Sequence, residues 1–76
     1  MMIGYRCTTT AGEFRIVFVN GRWHCEFNGE RFDGNYTNAR SAAEDLANGH
    51  TAWPSCGDPS ALGVPEDLSD WKQFRT

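Results

Sequence analysis

The sequence predicts a small α+β domain in which a three-stranded antiparallel β-meander packs on one α-helix and an ordered irregular tail follows. Two stretches carry this prediction: the alternating ribbon FRIVFVNGRWHCEFNGERFDG at 14–34 and the alanine-rich NARSAAEDLANG at 38–49. The length of 76 residues is that of one domain. We expect a single domain over 1–76, with the meander over 13–33, the helix over 39–48 and the tail over 50–76.

Two Asn-Gly turns predict the register of the meander. Asn-Gly between alternating apolar residues is the strongest short-range hairpin signal, because a type I′ turn needs positive φ at both central positions. A turn at 20–21 places Phe18 opposite Trp23. A turn at 28–29 then pairs the strand that holds Trp23 with the third strand of the meander. The two registers agree on one apolar face, made of Phe14, Ile16, Phe18, Trp23, Cys25, Phe27 and Phe32.

The other face of the meander is the candidate binding surface. Arginine is favoured in recognition surfaces. Glu26 lies between Arg15 and Arg31 as a cross-strand neighbour of opposite charge. An ordinary solvated face, or a face covered by the N-terminal segment, is the alternative interpretation. The candidate binding residues are Arg15, Val17, Arg22, His24 and Arg31.

The apolar face needs a cover, and the stretch after the meander supplies one. Asn38 is placed to cap the start of a helix, and Gly49 stands where a left-handed C-terminal residue belongs. Between them, apolar residues follow the helical period. The predicted buried stripe of this helix is Ala39, Ala42, Ala43 and Leu46.

The two ends of the chain are less regular. The stretch IGYRCTTT at 3–10 alternates and is compatible with a further strand, as SDWKQFRT at 69–76 is with a short extended segment. Asp58-Pro59 and Val64-Pro65 each predict the start of a single helical turn, with proline at its first position. Trp53, in the loop before a proline, is a possible interface anchor. A core position for this tryptophan is the alternative.

The charge balance limits the classes of partner. A net charge of −3 at pH 7 argues against a dedicated nucleic-acid binder. Residues 1–40 hold five Arg against four acids, whereas residues 41–76 hold six acids against two cations, so a weak positive bias lies on the meander half. No apolar run has the length of a membrane span, and the N-terminus lacks the apolar stretch of a signal peptide. We therefore expect a cytoplasmic protein with no membrane partner.

Metal binding is not expected. Three widely spaced cysteines do not form a disulfide framework, and cytosolic thiols are normally reduced. His24 and Cys25 are adjacent in a strand and therefore point to opposite faces. No pair has the spacing of Cys-x-x-Cys. We expect no metal and no cofactor from the available ligands, which are Cys7, His24, Cys25, His50 and Cys56.

Catalysis is also not expected. His50, Cys56 and Asp58 lie in one loop, and a Cys–His–Asp set is a known arrangement for nucleophilic catalysis. Three such residues within nine positions arise easily by chance. The sequence also has no paired carboxylates, glycine-rich phosphate loop or dinucleotide fingerprint. We assign no catalytic residue.

Two resemblances accompany this interpretation. The run GRWHCEFNGERFDGNYTNARSAAEDLA resembles small bacterial domains of unknown function, and NGHTAWPSCGDPSALGVPEDLSDW looks like the shared signature of one uncharacterised bacterial family. Together with the start of the meander they cover residues 14–71 and imply a small bacterial protein, but no activity. Three strands followed by a helix is also similar to the plant GCC-box-binding domain. That domain lays Arg and Trp of its sheet into the DNA major groove, whereas Trp23 is assigned here to the buried face.

The expected function is that of a non-enzymatic binding module that contacts another protein through the open sheet face or the tail. The sequence names no particular partner. The first alternative is a weak nucleic-acid-binding domain that uses Arg15, Arg22 and Arg31. The second is a small hydrolase-like or thiol-dependent enzyme centred on His50 and Cys56.

Overall fold

One helix packs on one face of a five-stranded antiparallel sheet. The computed structural model describes residues 3–51 and 57–75. The strand order is β4-β3-β2-β1-β5, with every neighbouring pair antiparallel. The elements are β1 (Ile3–Thr8), β2 (Glu13–Val19), β3 (Arg22–Phe27), β4 (Glu30–Arg31), α1 (Ala39–Asn48), 3₁₀ turns at Pro59–Leu62 and Leu68–Asp70, and β5 (Lys72–Arg75). The predicted α+β class is confirmed.

The two Asn-Gly turns set the register as predicted. Asn20 and Asn28 have φ of 52° and 50°, and the glycine after each also has positive φ, as a type I′ turn requires. Phe18 pairs with Trp23, and their ring centroids lie 5.1 Å apart. The apolar face therefore points toward the helix.

The predicted count of three strands is wrong, because the chain ends add two more. β1 joins β2 through a tight turn in which Thr9 and Gly12 exchange backbone hydrogen bonds of 2.8 and 3.2 Å. β5 then pairs with the free edge of β1, with Gly4 opposite Phe74. The alternation at residues 3–10 and the extended C-terminal end are thus both strands. The pairing between these two strands joins segments that are far apart in the sequence, so no local turn motif predicts it.

The helix has the predicted bounds and caps. The Asn38 side chain accepts a hydrogen bond of 2.8 Å from the Ser41 N–H, and Gly49 adopts the left-handed conformation with φ of 71°. The helix lies across β2 and β3. The four predicted stripe residues are buried, and small alanines let the helix approach the aromatic side chains of the sheet. None of the helices in the described part of the chain is long and apolar enough to cross a bilayer.

The two 3₁₀ turns after the helix pack against α1. The 3₁₀ turn predicted at Pro59 is present, with Asp58 as its N-cap. The second turn does not begin at Pro65 as predicted but at Leu68, because the Asp67 carboxylate accepts a hydrogen bond from the Ser69 N–H and caps the turn there. Trp71 is buried against the core and donates its indole N–H to the Pro65 carbonyl at 2.8 Å.

Candidate functional site

The face of the sheet turned away from α1, here called the open face, gathers most of the basic side chains. Directly paired residues in an antiparallel sheet share a face, so the register assigns each strand residue to one side. One row of paired residues crosses all five strands on the open face. In the order of the strands it runs Lys72, Arg6, Arg15, Glu26 and Arg31.

The open face holds five of the seven cationic side chains of the chain, with Arg22 as the fifth. It holds two of the ten acidic ones, Glu13 and Glu26, which pair with Thr8 and Arg15 respectively. This is an excess of three positive charges on a protein whose net charge is −3. The open face is therefore opposite in sign to the rest of the molecule.

The centre of the open face is closed by Phe74. Gly4 lies directly between Val17 and Phe74 in the pairing of the strands. The missing side chain leaves room for the Phe74 ring, whose Cζ would lie 2.8 Å from a Cβ at Gly4. Val17 is fully buried although it lies outside the main core cluster. The predicted binding residue Val17 therefore offers no exposed surface.

Arg15 is held by two contacts. Its Nε donates a hydrogen bond of 2.6 Å to Glu13 Oε1. Its guanidinium carbon also lies 5.2 Å from the centroid of the Phe74 ring, within cation–π range. The Phe74 ring thus lies close to both the Gly4 backbone and the Arg15 guanidinium, and it is half-buried.

The other cations of the open face differ in whether they form an ion pair. Arg31 donates two hydrogen bonds to Glu26 Oε2, at 3.3 and 3.1 Å, so the predicted attraction between these strands is present. Arg6, Arg22 and Lys72 form no ion pair within residues 3–51 and 57–75. Arg6 is the middle cation of three in register, because Lys72 and Arg15 flank it.

The predicted residues Arg15, Arg22, His24 and Arg31 thus share the open face with Val17, although Val17 is buried. Sequence reasoning missed Arg6 and Lys72. The alternation at residues 3–10 places Arg6 and Tyr5 on opposite faces of a strand. The sequence did not show which strands would lie beside that strand in the sheet. Trp53, the predicted loop anchor, lies outside the described residues.

The large aromatic side chains lie on the helix side of the sheet. Phe18 is 42% exposed at the end of β2, next to Trp23. Trp23 also approaches Tyr5, with ring centroids 6.0 Å apart. Aromatic stacking surface is therefore available at this end of the sheet, on the side away from the basic row.

A shallow cleft of about 370 Å³ lies on the far side of the molecule, between α1 and the second 3₁₀ turn. Two of its three carboxylates have local structural roles. Hydrogen bonds from Ser69 lower the pKa of Asp67, which caps the turn, and Glu66 Oε2 accepts a hydrogen bond from Asn48 at 3.3 Å. The residues that line this cleft are Arg40, Glu44, Glu66, Asp67 and Leu68.

Two titratable groups near Asp45 of the helix have raised pKa values. Burial, with a smaller contribution from Asp45, raises the pKa of the Cys25 thiol to about 12. Tyr36 donates a hydrogen bond of 3.0 Å to Asp45 Oδ2, and burial together with that bond raises the pKa of Tyr36. A thiol that stays protonated at neutral pH is not an activated nucleophile.

The loop that suggested catalysis is described only in part. Asp58 Oδ1 accepts hydrogen bonds from the Ser60 N–H and hydroxyl, at 2.9 and 2.8 Å, which accounts for its carboxylate as a cap. His50 is exposed. Cys56 lies outside the described residues. Among the residues that the structure describes, no group of three or more His, Cys, Asp or Glu side chains is placed to hold a metal ion.

The fold and this surface define an antiparallel α+β domain with a basic open sheet face. Comparison of the chain with protein-family models, with curated proteins and with solved structures gives no match.

Proposed function

We propose that this protein is a non-enzymatic binding module that contacts another protein through the open face. The observation that carries the proposal is the concentration of five of the seven cations on one side of the sheet. Charged residues of both signs lie on that face, and such mixed patterns set the register and choice of protein partners. The partner surface would be acidic.

The rigid arrangement of the face supports this function. Arg15 is fixed by Glu13 and Phe74, and Arg31 by Glu26. Fixed arginines lose less conformational entropy on binding than free ones, which favours affinity. Arg6, Arg22 and Lys72 form no ion pair in the described part of the chain and would meet carboxylates of a partner.

Site-specific photo-crosslinking in cells that naturally produce the protein would test the proposal. A benzoylphenylalanine at Thr8 reports on the open face, and one at Ser60 reports on the first 3₁₀ turn as the matched control, since both positions are exposed. We expect a defined protein adduct from position 8 but not from position 60. Arg22→Glu should abolish that adduct. Equal adducts from both positions, or an adduct that survives Arg22→Glu, would contradict the proposal.

The positive excess of the open face favours nucleic-acid binding as the second candidate, since phosphates also seek cations. Two features make it weaker. Glu13 and Glu26 lie on the same face and repel phosphates, and Phe74 is half-buried, so only part of its ring is exposed to stack on a base. A nuclease-sensitive adduct from position 8 would favour this candidate.

A further inference from the structure

Three cations in direct cross-strand register are an unusual feature of the open face. Lys72 pairs with Arg6, and Arg6 pairs with Arg15 on its other side. Like charges directly opposite each other in a sheet are destabilising. Glu13 offsets one of the three charges, and it does so at Arg15, which leaves Lys72 and Arg6 adjacent and without an ion pair among the described residues.

We propose that Lys72, Arg6 and Arg15 form an anion site that takes the carboxylates of an extended acidic peptide segment. This inference rests on the proposed function and names the chemistry of its partner. Neighbouring strands are about 4.8 Å apart, so the three cations span about 10 Å across the sheet. Side chains on one side of an extended peptide repeat every ~7 Å, so two acidic side chains match the row.

The same row is poorly suited to a nucleic acid. A row of three cations is short for a phosphate track, and Glu26 follows Arg15 in the row. Single strands also bind through aromatic platforms. The Phe74 ring on this face is half-buried near Gly4 and Arg15, and Tyr5 and Trp23 pack on the helix side. A row of cations beside a half-buried ring favours carboxylates over bases as ligands.

The site also predicts a conflict between stability and binding. Without a bound anion, the like charges of the row repel one another. A bound carboxylate reduces that repulsion. Replacing the middle cation should therefore weaken binding and at the same time stabilise the free protein. Replacing a residue with a merely structural role would instead weaken binding and lower the stability of the free protein together.

Fluorescence anisotropy with a labelled ten-residue peptide of alternating Glu and Ser tests the site, with a Gln-Ser peptide as the uncharged control. We expect binding of the acidic peptide that weakens with added salt. Arg6→Gln and Lys72→Gln should each lower its affinity at least fivefold. Arg75→Gln is the matched control, because Arg75 lies on the same strand as Lys72 but pairs with Ile3 on the helix side, and it should change affinity less than twofold.

Urea unfolding of the same variants gives the second measurement. Arg6→Gln should raise the midpoint by about 0.2–0.5 M, since it removes the like charge directly opposite Lys72. A lowered midpoint, equal weakening of binding in all three variants, or no binding of the acidic peptide would overturn the inference. Tighter binding of oligothymidine at the same site would replace it with the nucleic-acid assignment. If the peptide fails while the position-8 protein adduct persists, the anion site is wrong and the proposed function stands.

Discussion

Burial under one helix determines the chemistry of single residues in this protein. Cys25 is 2% exposed and lies near Asp45, so its thiol keeps its proton well above the usual pKa. Cys7, on the neighbouring part of the sheet, is half-buried, and burial raises its pKa as well. Side chains of one type thus differ in reactivity because of their depth.

The raised pKa of Cys25 predicts a loss of stability in alkali. Above about pH 8.5 the unfolded chain releases the thiol proton while the folded chain retains it until about pH 12. The unfolded state then binds fewer protons, so the free energy of unfolding should fall by up to about 1.4 kcal/mol per pH unit for this group. Tyr36 adds to the fall above about pH 10, since its pKa is also raised.

Urea unfolding between pH 8 and 11 checks this prediction, with Cys25→Ala as the comparison. The variant should show a shallower alkaline decline than the parent. Maleimide labelling followed by peptide mass spectrometry supplies an independent check, in which Cys7 labels before Cys25 in the native protein. Identical slopes with and without the thiol, or equal labelling of the two cysteines, would contradict the assignment.

Leu46 is the largest buried side chain of the helix and is fully buried. Leu46→Ala should lower the free energy of unfolding by about 2–5 kcal/mol, through lost transfer energy and the cavity left behind. Leu68→Ala, at a half-buried position beside the same core, should cost less. Denaturant unfolding measures both. A cost for Leu46→Ala well below 1 kcal/mol would mean that the core repacks without it.

At the scale of elements, the strand β5 both completes the sheet and closes the centre of the open face. Its residue Phe74 occupies the space that Gly4 leaves empty, and Val17, which pairs with Gly4 on its other side, is fully buried. The glycine is required here by close approach and not by its φ, since a Cβ would lie 2.6 Å from the Ile16 carbonyl oxygen. The pairing of β1 and β5 therefore depends on a residue without a side chain.

Gly4→Ala should lower the free energy of unfolding by about 1–3 kcal/mol, because the added methyl overlaps the Ile16 carbonyl and the Phe74 ring. In a Phe74→Ala background the same change should cost less, since one of the two overlaps is gone. A double-mutant cycle by urea unfolding measures this coupling. Equal costs in both backgrounds would show that the ring does not lie over Gly4.

At the scale of the whole molecule, the charges are separated between two sides. The open face carries the positive excess, whereas the cleft on the far side is lined by Glu44, Glu66 and Asp67 with Arg40. Such a distribution orients a charged partner during encounter and loses strength as salt rises. The net charge of −3 is the sum over both sides, so it does not show this separation.

The arrangement of the whole chain also bears on metal content, and we expect the purified protein to carry no stoichiometric zinc. Cys7 and Cys25 lie on the helix side of the sheet and His24 on the open face, so they cannot share one ion. Elemental analysis of the purified protein checks this. One zinc per chain, lost together with the fold on chelation, would reverse the expectation.

The sequence by itself determined the features that depend on neighbours along the chain. The turns at 20–21 and 28–29 specified the β2–β3–β4 register through positive φ, and Asn38 and Gly49 specified the helix bounds through capping. Only the tertiary structure decided that β5 pairs with β1. That pairing aligns Lys72, Arg6 and Arg15 and places Phe74 over Gly4. The physical reason is that strands distant in sequence have no turn to fix their register, so it is selected by packing and hydrogen bonding once the sheet assembles.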